Sequence, residues 1–126
     1  MSKINVLMVD DELAIIKLLT RILQREPNLA LNAAANGAEA ASLAKQKRFD
    51  AIICDVHLPD IDGLALIQKL KTENICPPLV MILSGSLKPP PETMPDNMLF
   101  INKPFDSSEI INPLVNYAKV LQPRGV

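Results

Sequence analysis

Several patterns are missing from this chain, and each absence removes a class of protein. No apolar run approaches the roughly 20 residues that a membrane-spanning helix needs, and Met1-Ser2-Lys3 leads straight into a strand-like run rather than a signal peptide. The expectation is a cytoplasmic protein with no membrane partner. Charge of one sign is also lacking. Thirteen Lys and Arg face fourteen Asp and Glu, a net charge of −1, which leaves no electrostatic case for direct nucleic-acid binding. A single histidine, His57, excludes a multi-histidine metal centre. The two cysteines, Cys54 and Cys76, lie in or beside apolar segments without metal-ligand spacing. They read as buried thiols in a reducing compartment rather than as a disulfide. Internal repeats are absent.

What is present is apolar material and proline. The hydrophobic fraction of 48% over 126 residues supplies a core for one domain, which at this size buries roughly 65–70% of its unfolded surface. Of eleven prolines, seven lie between Pro77 and Pro104. The central stretch is Ala51-Ile52-Ile53-Cys54-Asp55, followed by Val56-His57-Leu58-Pro59. A short continuous apolar run of this kind predicts a strand buried on both faces, as in parallel sheets. It ends in a carboxylate, and burying a charge costs several kcal/mol unless something pairs with it. Asp55 is therefore expected as an exposed reactive group at a rigid strand tip, against the plainer alternative of a carboxylate that caps the next turn.

Taken in order, Ile4 to Val9 reads as a first strand ending in Asp10-Asp11, and Glu12 to Arg25 as a helix with Leu13, Ile16, Leu19, Ile22 and Leu23 on one face. Pro27-Asn28 stops it. An Ala-rich strand over Leu29 to Ala35 ends at the turn signal Asn36-Gly37, and Ala38 to Lys47 is a short helix of strong formers. After the strand over 51–54, a loop with Pro59 and Gly63 leads to a helix over Leu64 to Thr72, then a fourth strand over Leu79 to Leu83. The alternation of strand and helix predicts a doubly wound α/β fold. Its five-stranded parallel sheet would carry helices on both faces and have the flavodoxin-like order 2-1-3-4-5. The rhythm fails between Ser86 and Asn97, where Pro89-Pro90-Pro91 and Pro95 stand in place of a fourth helix. Interior proline costs about 3 kcal/mol, so that helix is expected to be lost or reduced to one turn near Glu92-Thr93-Met94. Met98 to Ile101 resumes as a fifth strand, and Asp106-Ser107-Ser108-Glu109 is a capping-box signature for a last helix. Pro113 is expected to kink that helix or to restart it with Asn112 as the cap. Residues 1–121 then form the domain, and 122–126 a tail or the start of a linker.

Asp10 and Asp11, Asp55, Ser84 and Lys103 all fall at strand ends, where open α/β sheets bind their ligands. Each has an ordinary explanation alone: Asp11 as a helix cap, Ser84 as a turn residue, Lys103 as a surface charge. Together they have the parts for phosphoryl transfer. Three carboxylates within about 4–5 Å repel by roughly 3–4 kcal/mol per pair at an effective dielectric of 20. Such a cluster suits a hard divalent cation, Mg²⁺ rather than a closed Ca²⁺ cage. A carboxylate nucleophile needs no general base, and a hydroxyl and an ammonium complete the charge stabilisation.

On Val9-Asp10-Asp11, Asp55 followed by Pro59 and Gly63, Leu83-Ser84-Gly85 and Lys103-Pro104-Phe105, the chain resembles the receiver domain of two-component response regulators over essentially its whole length. The resemblance implies Asp55 as phosphoacceptor, with Mg²⁺ held by Asp10, Asp11, Asp55 and the backbone carbonyl of His57. It implies Ser84 and Lys103 as phosphoryl ligands, Ser84 and Phe100 as the switch pair, and a cis Lys103-Pro104 peptide. The donor would be a histidine kinase or a histidine phosphotransfer protein, with an effector domain possible beyond Val126. The domain would be no enzyme, promoting only its own phosphorylation and dephosphorylation. His57 sits where side chains of the family tune hydrolysis of the acyl phosphate, and the proline-rich segment departs from the usual fourth helix. A degenerate docking receiver is disfavoured because no acid or lysine is missing. An aspartyl-nucleophile phosphatase of the haloacid dehalogenase type wants its nucleophile after the first strand, with another Asp two residues on. A flavin module wants a phosphate-cradling loop after the first strand.

Overall fold

In the computed structural model, residues 3–85 and 98–121 are described. The elements are β1 (Ile4–Val9), α1 (Leu13–Leu23), β2 (Leu29–Ala34), α2 (Gly37–Gln46), β3 (Ala51–Asp55), α3 (Gly63–Thr72), β4 (Leu79–Ser84), β5 (Met98–Asn102) and α4 (Ser107–Leu121). The expected loss of a helix over 86–97, with its single turn near Glu92, lies outside the described residues, as does the tail over 122–126.

The five strands form one parallel sheet in the order β2-β1-β3-β4-β5. The apolar runs occupy the centre because only strands covered on both faces must be continuously apolar, and every residue of β3 is buried. Alternate side chains feed two cores. On one face Val6, Met8, Ile53, Met81 and Leu83 pack with Leu19 and Leu23 of α1 and Ile110, Leu114 and Ala118 of α4. On the other, Leu7, Val9, Ile52, Val80 and Ile82 meet Ala40, Ala41 and Ala44 of α2 and Leu66, Ile67 and Leu70 of α3. The small side chains of α2 let it lie close to the sheet. No helix among the described residues is long and apolar enough to cross a membrane.

Two expectations about element ends change. α1 begins at Leu13 with Glu12 in the cap position, and neither Asp11 nor Glu12 caps it by a side chain. α4 runs unbroken from Ser107 to Leu121 through Pro113, rather than restarting at Asn112. The bond that Pro113 cannot donate would have gone to the carbonyl of Glu109, an exposed residue in the first turn, where water can take its place. The buried Ile110, Leu114 and Ala118, spaced by four, hold the helix to the sheet across the proline. The capping box is present in one direction, since the Glu109 carboxylate accepts from the Asp106 amide at 2.9 Å.

Candidate functional site

The site is built where β1, β3, β4 and β5 end together. Parallel register aligns those ends: Val9 pairs with Cys54, Asp55 with Leu83, and Ser84 with Asn102. Asp10 and Asp55 follow from adjacent strands, although they are 45 residues apart in sequence. One carboxylate oxygen from each of Asp10, Asp11 and Asp55 lies within 4.8 Å of the others. The Lys103 ammonium reaches across from the end of β5, with Nζ 3.1 Å from Asp55 Oδ1 and 3.2 Å from Asp10 Oδ2. Its backbone is anchored too, since the Lys103 amide donates to the Ser84 carbonyl at 2.7 Å. The Lys103-Pro104 peptide is cis.

Asp55 is not the exposed group that the sequence suggests. It is 5% exposed, and Asp10 and Ser84 are each 2% exposed. Lys103 makes that burial tolerable by pairing with both acids. Burial pushes the Asp55 carboxyl above the usual carboxylate range; the Lys103 hydrogen bond opposes this, and the neighbouring Asp10 and Asp11 charges add to it. For Lys103, burial works against the ammonium, but the hydrogen bond to Asp55 and the charges of Asp10 and Asp55 outweigh it and raise its pKa. One ammonium still leaves three clustered acids short of positive charge. An all-oxygen donor set of this size fits a hard cation with room for water.

The remaining predicted residues are placed as follows. Asp11 is exposed at the mouth of the cluster. Ser84 is the last residue of β4. Phe100 lies half-buried on β5 opposite Ile82, against the core shared with α2 and α3. His57 is exposed in the loop leaving Asp55, where it forms an isolated bridge with Asp62. Cys54 is buried beside Asp55, and burial first, then the nearby acids, pushes its thiol far up, which makes it inert.

Three features escaped the sequence reading. Glu12 adds a looser ion pair to Lys103 at 3.8 Å. Gly63 must lack a side chain, because a Cβ there would collide with the Asp55 carbonyl oxygen. Its amide donates to the Val56 carbonyl at 2.7 Å, closing the loop tightly behind the acid. Asp60, in the same loop, binds the start of α2: its carboxylate accepts from Gly37 N at 2.8 Å and Ala38 N at 2.9 Å. The Asp62-Gly63 pair was a legible signal for the helix start, with Asp62 capping α3 through Leu64 N at 2.8 Å. Nothing in the sequence marks the partner of Asp60.

A 2-1-3-4-5 parallel sheet with clustered acids facing a lysine across its strand ends defines a small α/β domain of the flavodoxin-like class. The chain belongs to the response regulator receiver domain family, whose family model matches residues 6–114. It is 32% identical over 108 residues to the transcriptional regulatory protein SrrA of Staphylococcus aureus, which covers 85% of this chain and 44% of that protein. Over 82 residues it is 39% identical to the protein-glutamate methylesterase/protein-glutamine glutaminase 2 of Carboxydothermus hydrogenoformans, covering 64% of this chain and 23% of that protein. The solved receiver domain of the Francisella response regulator 1452 superposes with a TM-score of 0.80 at 27% identity, covering 94% of this chain and 98% of that one. The chain thus spans less than half the length of these two curated relatives.

Proposed function

We propose that the domain is a phosphorylation-dependent signalling switch that accepts a phosphoryl group on Asp55 from a histidine kinase or histidine phosphotransfer protein. The observation that carries this reading is the lysine ammonium 3.1 Å from Asp55 and 3.2 Å from Asp10, set against a three-acid cluster. An ionised Asp55 attacks phosphorus in line. A bond from the carboxylate oxygen to phosphorus forms as the bond to the donor imidazole nitrogen breaks, its electron pair leaving with the nitrogen. No proton has to be removed from the nucleophile. Lys103 and the Ser84 hydroxyl donate to phosphoryl oxygens, neutralising charge that the buried acids would otherwise repel.

Asp10, Asp11, Asp55 and the His57 carbonyl would hold Mg²⁺, which supplies further neutralisation of phosphoryl oxygens when bound. Drawing the Ser84 hydroxyl toward the phosphoryl group frees space for the Phe100 ring, so Ser84 and Phe100 form the switch. A cytoplasmic setting completes the reading, and catalysis is confined to the domain's own phosphorylation and dephosphorylation. Incubation with acetyl phosphate, followed by intact-protein mass spectrometry, tests it. A single Mg²⁺-dependent phosphoryl adduct is expected, absent in Asp55→Asn. An undiminished adduct in that variant would refute the assignment.

A further inference from the structure

The loop from Val56 to Asp62 leaves Asp55 and carries His57, so its position bears directly on the rim. Backbone contacts pin its base: Val56 N donates to Leu83 O at 3.0 Å, Gly63 N to Val56 O at 2.7 Å, and His57 bridges to Asp62. Its outer part is held differently, through the Asp60 carboxylate on the first two amides of α2 at 2.8 and 2.9 Å. This side-chain clamp ties the loop to another helix.

α2 has a cap of its own besides that clamp. Asn36 already accepts from Glu39 N at 2.8 Å, and Glu39 reaches back to Ala35 N at 3.3 Å. Asp60 is exposed, as is Ala38, but Gly37 is buried, so loss of the carboxylate costs α2 a bond at its first amide as well as releasing the loop. Loop and helix both benefit. Aligned amides and the positive end of the helix dipole grip a carboxylate well, and the Asp60 carboxyl is correspondingly depressed by the Gly37 and Ala38 bonds. Gly37 permits the approach, because a Cβ there would overlap the Ile61 side chain and sit 3.3 Å from Asp60 Oδ1.

We infer that Asp60 is a positioning residue for phosphoryl transfer: by clamping the outer part of the loop to the start of α2, it steadies the segment that carries His57 beside the acid cluster, in addition to the backbone contacts at the loop's base. The inference rests on the proposed function and predicts that the clamp matters to the cation site as well as to the fold. Outer supports of metal ligands typically contribute an order of magnitude in affinity, so Asp60→Ala should weaken Mg²⁺ binding by about tenfold. Calorimetric Mg²⁺ titration of the unphosphorylated protein reads this directly. Phosphorylation by acetyl phosphate should slow at low Mg²⁺ and recover at saturating Mg²⁺. Amide exchange at residues 57–61 of the metal-free variant should accelerate. Asn36→Ala, which removes the helix's own cap, serves as the control, with Mg²⁺ affinity retained at lower thermal stability. If Asp60→Ala lowers thermal stability as Asn36→Ala does and leaves Mg²⁺ affinity and loop exchange unchanged, Asp60 is merely structural and the inference is wrong. If the wild type neither binds Mg²⁺ nor forms the adduct, the proposed function fails, and the inference with it.

Discussion

α1 and α2 start on the same rim of the sheet, each directly after a strand, and their first turns are treated in opposite ways. The first three amides of α2 all meet side chains, Gly37 N and Ala38 N on Asp60 and Glu39 N on Asn36, while Glu39 reaches back to Ala35 N. α1 has three consecutive acids before it and no side-chain cap. Asp10 spends one oxygen on the Glu12 amide at 2.9 Å and the other on Lys103 at 3.2 Å. Asp11 turns into the cluster instead of onto the helix. Carboxylates near a helix start are thus divided between two tasks. Those before α1 are given mainly to the site, while those around α2 bind the start of that helix, where Asp60 also ties it to the loop that leaves Asp55. A site that holds acids together against their repulsion forgoes stability that the same residues could have supplied.

The sharpest way to break that division is Lys103→Met, which leaves the buried Asp10 and Asp55 without their cation. Loss of one partner from a buried ion-pair set costs about 3 kcal/mol, measurable by urea denaturation of the metal-free protein, and the acetyl phosphate adduct should vanish as well. Asn36→Ala should cost about 1 kcal/mol, with the adduct intact, since it touches only the structural side. Asp60 contributes with a pH signature. Its folded carboxyl is depressed, so its stabilisation is present above the ordinary carboxylate range and is lost as pH falls through the folded value. The stability gap between wild type and Asp60→Ala, open at neutral pH, should therefore close in acid. Smallest of all, Asp11→Asn should shift metal-free stability by less than about 0.5 kcal/mol, because the residue is exposed, while Mg²⁺ titration shows weaker binding. A loss near 1 kcal/mol there would instead make Asp11 a helix cap.

Much of this was legible in the chain because burial leaves marks. β3 and β4 are continuous apolar runs since both faces are covered, and their ends are abrupt because the sheet's rim is polar. Even the Ala-rich β2, an edge strand, was placed to within one residue. What stayed hidden depends on partners distant in sequence. Asp55 looked exposed because nothing near it pairs with it; its cation arrives 48 residues later, at Lys103. Asp60 grips amides that lie 22 and 23 residues earlier in the chain, and backbone donors carry no sequence signal. Of the two outcomes expected at Pro113, a kink or a restart at Asn112, the restart fails because local propensity was read without the tertiary packing of Ile110, Leu114 and Ala118 that overrides it.

The ion pair between Lys103 and Asp10 joins residues 93 positions apart, and that span bears on how the protein is made. A parallel sheet forms its pairings only after long crossovers close, and chains emerge from the ribosome with the N-terminus first. Asp10, Asp11 and Asp55 are all synthesised well before the lysine that reconciles them. Until β5 docks, those acids repel one another without the counter-charge of Lys103, so the charge balance of the site is completed only with the last strand of the sheet.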